Sequence, residues 1–306
     1  MKESFVSVDG REVKLTNLDK LIWPEGLTKA HLVKYYSDIA PYILPHLHNR
    51  PIVMKRYPDG LAGETFYQKE VPEYAPDWII RQPVEHTGKV INYIICNDRA
   101  TLIWLANQAC IEMHAWLARL ENLECPDIAV MDMDPAEGAT FADILEIALL
   151  VKRILDEFEI ESYPKTSGSR GLHLFIPLEP VYSWQKVTGA MKYVAELAQK
   201  VYPDKVTLER KVEKREGKVY LDYLQNGRGK TMAFQYSLRP RPGAPVSTPL
   251  LWPEVEKGGF LPGDYNINTV FTRTGKLGDV FEGVIKKRQS INSLLNMIDY
   301  GDLKKL

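Results

Sequence analysis

Asp132 and Asp134 stand two residues apart at the end of the run Ile128-Ala129-Val130-Met131-Asp132-Met133-Asp134-Pro135. The apolar lead-in predicts a buried strand. Residues i and i+2 of a strand share a face, so the two carboxylates point the same way with Cα atoms roughly 6.5–7 Å apart. Like charges so placed repel unless a cation or a proton lies between them. The pair is therefore half of a divalent-metal site. Alone it also fits glycosyltransferases, phosphatases in which the first Asp is a nucleophile, and a solvated strand end. Asp222, in the second apolar strand Val219-Tyr220-Leu221-Asp222-Tyr223, adds a third carboxylate. Three acids from two strands suit two-metal phosphoryl or nucleotidyl transfer.

The segment Thr166-Ser167-Gly168-Ser169-Arg170-Gly171-Leu172-His173 reads as a turn followed by a strand. Its glycines and serines would let backbone N–H groups face an anion, and Arg170 adds a cation. Strand alternation puts His173 and Phe175 on the face away from Leu172, Leu174 and Ile176, toward a site. A plain hairpin turn with an incidental His accounts for the same residues. Past the third Asp, Gln225 supplies an amide, and Arg228, Lys230 and Arg239 supply phosphate-sized cations. Between 205 and 218 the basic residues, Arg215 among them, outnumber the acids, as in a solvated loop or one that tracks a nucleic-acid backbone.

The elements that must position these groups alternate. A short hairpin with its turn at 8–11 precedes a helix from Thr28 to about Leu44 that Pro45 ends. Strands are expected at 51–56 and 90–96, and residues 99–120 read as largely helical. After the acidic strand come a helix at 140–158, strands at 161–165 and 172–177, a helix at 183–201 and a strand at 218–223. The Pro- and Gly-rich tail closes with a helix near 290–298. This alternation predicts a mixed α/β (α+β) protein. With 306 residues, 45% hydrophobic and 26% charged, the chain can bury a large core. A net charge of −1 does not announce a nucleic-acid binder, so such a role needs local basic patches. Cys96, Cys110 and Cys125 form no CxxC pair, which argues against structural zinc and for a reducing compartment. No signal-peptide core or membrane span is visible.

Taken together, Met-Asp-Met-Asp-Pro, Thr-Ser-Gly-Ser-Arg-Gly-Leu-His and Leu-Asp-Tyr-Leu-Gln-Asn, in this order and spacing, resemble the polymerase domain of bacterial and archaeal ligase D. That domain is a branch of the archaeo-eukaryotic primase superfamily. Leu18-Asp19-Lys20, Thr28-Lys29, Arg56-Tyr57-Pro58-Asp59-Gly60, Phe66-Tyr67-Gln68-Lys69, Glu112-Met113-His114 and Tyr236-Ser237-Leu238-Arg239-Pro240 extend the resemblance over nearly the whole chain. It implies an RRM-like sheet carrying the acids, packed against an N-terminal α/β subdomain. Residues 1–306 would be one catalytic domain, with subdomains near 1–127 and 128–306.

The resemblance assigns Asp132, Asp134 and Asp222 to catalysis and to two Mn²⁺ or Mg²⁺ ions. It assigns His114, Ser167, Arg170, His173, Gln225 and Arg239 to the incoming nucleotide. Arg170 stands where relatives often carry Lys, which keeps the charge but alters reach and hydrogen-bond geometry. Lys20 and Lys29 resemble the lysines that hold a downstream 5′-phosphate, and Phe66 and Tyr67 an aromatic pair that stacks on template bases. Arg56 and Arg215 complete the DNA-binding set. The implied activity is templated nucleotidyl transfer with nucleoside triphosphates, ribonucleotides preferred over deoxyribonucleotides. It would fill gaps and extend ends in double-strand-break repair by non-homologous end joining. DNA with a recessed or gapped end and a 5′-phosphate, a Ku-like end-binding protein and a DNA ligase are the implied partners, in a prokaryotic cytoplasm at the nucleoid. The rivals are a metal-dependent phosphohydrolase using Asp132 as nucleophile and a non-catalytic DNA end-bridging module.

Overall fold

The acidic strand, Ile128–Pro135, is the middle of a five-stranded sheet. In spatial order the strands are Val206–Thr207, Val219–Asp222, Ile128–Pro135, Leu172–Pro177 and Tyr163–Thr166. All pairings are antiparallel except that of the first two. Residues from Ile128 to Met133 are buried, as a strand flanked on both edges requires. Met131 and Met133 lie opposite Leu174 and Leu172, and this apolar parity leaves the other face to the acids.

Two long helices serve this sheet. Phe141–Glu157 begins with a capping box: the Thr140 hydroxyl accepts from the Asp143 N–H, and the Asp143 carboxylate accepts from the Thr140 N–H. Trp184–Val201 begins at Ser183, whose hydroxyl accepts from the Lys186 N–H. Both helices contact the acidic strand and each other.

This computed structural model describes residues 3–303, with side chains as far as 298. The chain forms two compact units. The sheet just described belongs to the second, Asn122–Lys230 with Thr248–Pro262 and Asp279–Leu306. The first is Met1–Glu121 with Thr231–Ser247 and Gly263–Gly278. It holds the hairpin Glu3–Val8/Arg11–Thr16 and a larger antiparallel sheet. That sheet runs Thr231–Ala233, Cys110–Trp116, Pro51–Arg56, Lys89–Ile95, Ile80–His86, with Phe66–Gln68 also paired to Pro51–Arg56. The mixed α/β class is as the sequence predicts.

Two elements differ from the sequence reading. Residues 99–120 are not one helix: Arg99–Asn107 is helical, and Cys110–Trp116 is a fully buried strand. The break is Ala109, in the left-handed region at φ 56°, a position with no Gly or Pro to announce it. The first helix, Lys29–Leu47, runs through both Pro41 and Pro45. Its buried stripe of Leu32, Tyr35, Tyr36, Ile39, Ile43 and Leu47 outweighs the missing backbone bonds. Tyr35 and Tyr36 also donate hydroxyl hydrogen bonds to the carbonyls of Tyr236 and Ile111.

One side chain stands in for a strand. The Val219–Asp222 strand ends opposite Asp132, so nothing from its backbone reaches Val130. Asn226, fully buried on the following 3₁₀ turn Tyr223–Asn226, accepts from the Val130 N–H and donates to the Val130 carbonyl, both at 2.8 Å. The amide thus continues the ladder and ties the Asp222 strand end to the acidic strand. Replacing Asn226 by Ala leaves two buried backbone groups without this partner and should cost about 2–4 kcal/mol in urea unfolding. An unchanged midpoint and slope would contradict the assigned role.

Candidate functional site

Strand register lines the second unit's groups up in one row. His173 is paired directly with Asp132 on one side, and Asp222 with Asp132 on the other. Directly opposed residues share a sheet face, so His173, Asp132 and Asp222 form a line across three strands, with Asp134 two residues further on. The line continues to Lys165, which pairs with His173 and is fully buried. The sequence reading missed Lys165; its only signal was a Lys inside the strand leading to the Ser-Gly turn.

The electrostatics follow from that row. The Asp132 charge, and then burial, push Asp134 up to about 6, and Asp222 adds to the rise. His173 and Arg215 oppose it. The His173 imidazole Nε2 lies 3.2 Å from Asp132 Oδ1. Arg215 stacks on the Tyr220 ring at 3.7 Å, and Tyr220 is paired with Asp134. The Arg215 guanidinium is fixed from behind, donating to the carbonyls of Glu209 and Arg210. The Asp222 carboxylate accepts from the Leu224 N–H at 2.9 Å and from the Gln225 amide at 3.1 Å. Gln225 thereby orients the third acid.

The Ser-Gly turn is more self-contained than its composition suggests. Ser167 is buried, and its hydroxyl accepts from the N–H groups of Ser169 and Gly171. Two amides expected to face an anion are thus spent inside the turn. A Cβ on Gly171 would come 2.3 Å from the Met133 carbonyl oxygen, so only glycine lets the turn lie against the acidic strand. Arg170 is exposed at its tip. Phe175, expected to face a site, shares the face of His173 but is fully buried, its ring 5.9 Å from Phe281. Arg228, expected as a phosphate cation, pairs with Glu124 through two of its nitrogens.

In the first unit the organising group is Glu112, which the sequence reading did not single out. It is almost wholly buried on the strand that carries His114. Lys55 Nζ lies 2.8 Å from its Oε1, which also accepts from the Tyr57 hydroxyl at 3.1 Å. His114 Nε2 lies 2.9 Å and Arg239 Nε 3.4 Å from its Oε2. Burial alone would raise the Glu112 carboxyl, but the His114 hydrogen bond with the Arg239 and Lys55 cations holds it well below the usual carboxylate range. At His114 burial outweighs the acid and lowers the imidazole. The ring is therefore neutral at pH 7 and donates from Nε2 to Glu112, leaving Nδ1 as an acceptor. Strand register brings Lys55 and His114 to Glu112, while Tyr57 and Arg239 reach it from segments that follow strands.

The predicted DNA-binding residues divide. Lys29 is buried and donates to the Thr16 hydroxyl and the Asn107 carbonyl, and Lys20 pairs with Asp59. Burial first, then the charges of Lys20 and Arg56, lowers Lys29 to about 8. Phe66 pairs with Arg56 and Tyr67 with Lys55, so the expected aromatic pair is split between opposite faces of the strand. Phe66 lies under the Arg56 guanidinium, while Tyr67 meets Lys55 and the His114 ring.

Fold and geometry thus define a mixed α/β protein with three carboxylates on one sheet face. The family model described as LigD, primase-polymerase domain, matches residues 28–281, and the chain belongs to that family. It is 36% identical over 272 residues to the Bifunctional non-homologous end joining protein LigD of Bacillus subtilis, covering 88% of this chain and 44% of that protein. To the Multifunctional non-homologous end joining protein LigD of Mycolicibacterium smegmatis it is 38% identical over 246 residues, covering 79% and 32%. The chain therefore spans a third to somewhat under half of these relatives. A solved structure of the polymerase domain of Mycobacterium tuberculosis ligase D in complex with DNA superposes with a TM-score of 0.85 at 33% identity, covering 90% of this chain and 99% of that one. Among the described residues no helix is long and apolar enough to cross a membrane.

The crowded carboxylates have a thermodynamic signature. A folded-state value of about 6 for Asp134, against 3.8 for an ordinary Asp, means its ionisation opposes folding. The stability it contributes is present below pH 3.8 and is lost as pH rises through about 6. Asp134→Asn should therefore stabilise the protein in a chelator at pH 7.5 by about 1–3 kcal/mol, and by much less at pH 4.5. Urea unfolding at the two pH values checks this, and a destabilised variant at pH 7.5 would contradict it.

Proposed function

We propose that this domain is a template-dependent nucleotidyltransferase that fills gaps and extends ends in double-strand-break repair by non-homologous end joining. The observation that carries the reading is the row His173–Asp132–Asp222 with Asp134 beside it, on a fold that matches a ligase D polymerase domain. A phosphohydrolase using Asp132 as nucleophile would have no use for a third carboxylate directly opposite, and a pure end-bridging module would have no use for any of them.

The donors fit two Mn²⁺ or Mg²⁺ ions: they are hard carboxylate oxygens, and the repulsion felt at Asp134 is what cations would relieve. Among the described residues no group of three or more His, Cys, Asp or Glu stands ready-made in metal geometry. That is consistent with Asp222 being held by Leu224 and Gln225. Bound there, divalent ions would supply acidity to a primer 3′-hydroxyl and charge neutralisation at the α-phosphate and departing pyrophosphate. Asp132, Asp134 and Asp222 would hold them. His173 orients Asp132, Gln225 orients Asp222, and Arg215 restrains the charge at Asp134.

Ser167 fixes the turn that presents Arg170 to phosphate oxygens. His114 and Arg239, organised by Glu112 together with Lys55, are proposed nucleotide contacts, His114 as a neutral imidazole. Lys20 and Lys29 would take a downstream 5′-phosphate. Residues 1–306 would act as one primase-polymerase domain, preferring ribonucleotides, working at the nucleoid beside a Ku-like end-binding protein and a DNA ligase.

The direct test is extension of a gapped duplex bearing a 5′-phosphate, with single nucleoside triphosphates and Mn²⁺ or Mg²⁺. Wild type should add the templated nucleotide, and Asp132→Ala and Asp222→Ala should fall to background while remaining folded. Absence of templated addition by wild type, or full addition by either variant, would sink the proposal. Ribonucleoside and deoxyribonucleoside triphosphates compared in the same assay test the preference.

The lowered Lys29 gives a second check. Its ammonium is charged below about pH 8 and is lost above it, whereas a phosphate monoester, with a second pKa near ~6, is already a dianion. Preference for 5′-phosphate over 5′-hydroxyl should therefore fall about three- to tenfold from pH 7 to pH 9. In Lys29→Met the preference should be small and flat with pH. A preference unchanged over this range in wild type would remove Lys29 from the phosphate site.

A further inference from the structure

A cavity of about 660 Å³ opens in the second unit, within the size range of small-molecule sites, and the proposed reaction does not use it. One face of the helix Trp184–Val201 lines it through Trp184, Thr188, Gly189 and Lys192, and Cys125, Gly227 and Arg228 also border it. The Trp184 indole is fixed, its N–H donating to the Leu123 carbonyl at 2.9 Å. Gly189 sits inside the helix, where glycine is less favourable than alanine. A Cβ there would meet nothing within 4 Å, so close packing does not require the glycine. Its missing side chain leaves the cavity open.

The charged residues that line the cavity say what it would take. Arg228 meets the Glu124 carboxylate through Nε at 3.0 Å and Nη2 at 2.7 Å, and the Glu124 side chain is 68% exposed. A pair so open to water contributes little, so a ligand carboxylate is able to take Glu124's place on the guanidinium fork. Lys192, paired with Glu196 one turn on at 3.5 Å, adds a second cation. An indole-walled space with an arginine fork suits an aromatic ring bearing one anionic group. The cavity also adjoins the support of the third acid. The Thr188 hydroxyl lies 2.8 Å from the Trp184 carbonyl and 3.0 Å from that of Asn226, donating between them. Gly227 and Arg228 follow Asn226 directly, and the same turn carries Gln225, which engages Asp222.

We infer that this cavity is a binding site for a small aromatic carboxylate, coupled to Asp222 through Thr188 and the turn Tyr223–Asn226. Binding itself does not depend on the polymerase reading, whereas the coupling rests on it for the role of Asp222 as a metal ligand. The test uses 1-naphthaleneacetate as probe, with the uncharged 1-naphthaleneacetamide as its control. Cys125 reports occupancy. Cys96 and Cys110 are fully buried and burial pushes their thiols up, so iodoacetamide should modify Cys125 alone in the folded protein. Saturating acid should slow that alkylation, and calorimetry should find it bound about 3- to 30-fold tighter than the amide. In Arg228→Leu the acid should bind no better than the amide, and in Glu124→Gln about threefold tighter than in wild type. Gly189→Leu should exclude both compounds, with a thermal midpoint no lower than that of wild type.

The coupling is read from Mn²⁺ binding, followed by the paramagnetic resonance signal of the free ion. Saturating naphthaleneacetate should shift the wild-type Kd for Mn²⁺ by about fivefold or more, and saturating Mn²⁺ should shift the naphthaleneacetate Kd by the same factor. Thr188→Val should bind the acid yet lose the shift, and Thr188→Ser should keep it. Cys125 alkylation unaffected by the acid, or wild-type acid binding by Gly189→Leu, would overturn the site. A Kd for Mn²⁺ unmoved by the acid, or a shift retained in Thr188→Val, would overturn the coupling. A wild type that binds the acid but no Mn²⁺ would contradict the metal-dependent polymerase reading and leave the cavity assignment standing.

Discussion

Repulsion between carboxylates on one sheet face is the constraint to which the second unit is built. Asp132 and Asp134 cannot turn away from each other, because strand periodicity fixes their direction and the buried central strand fixes the register. Asp222 arrives directly opposite and worsens the crowding. The neighbouring elements limit its cost. His173 is placed against Asp132, Arg215 is pinned near Asp134 by backbone carbonyls, and Leu224 and Gln225 engage Asp222. Asn226 then ties the end of the Asp222 strand to Val130, so the acids stay in line. A fold optimised for stability alone would not keep these charges together.

The first unit has the converse arrangement. There one buried carboxylate, Glu112, is surrounded by donors, Lys55, Arg239, Tyr57 and His114. A buried acid is tolerable only when paired, and here the pairing also fixes the positions of the cations. Lys55 gains from it, its ammonium held above the usual range by the Glu112 hydrogen bond and charge against the opposing effect of burial. Glu112 thus organises the donors around it.

Much of the second unit was legible in the sequence because its signals are local. The acidic pair, the Ser-Gly turn with its obligatory Gly171, and the strand carrying Asp222 each declare themselves within a few residues. What escaped depends on cross-strand register, which no local pattern encodes. Lys165 joins the row only because it pairs with His173, and Glu112 gathers its two cations, Lys55 and Arg239, from segments far apart in sequence. The strand Cys110–Trp116 was read as helix because a strand buried on both faces shows no alternation, and its start is marked only by the conformation of Ala109. Phe66 and Tyr67 are assigned together by the family resemblance, and the register puts them on opposite faces of their strand, which their adjacency in sequence does not by itself announce. The prolines of the first helix misled for a related reason, since tertiary burial decided the outcome against local propensity.

The central claim is that the three carboxylates together form a divalent-cation site. Mn²⁺ titrated into the protein and followed by the electron paramagnetic resonance signal of the free ion tests it without recourse to activity. The account predicts saturable binding by wild type that is strongly weakened by Asp132→Asn and by Asp222→Asn. Equal Mn²⁺ binding by wild type and the two folded variants would contradict it.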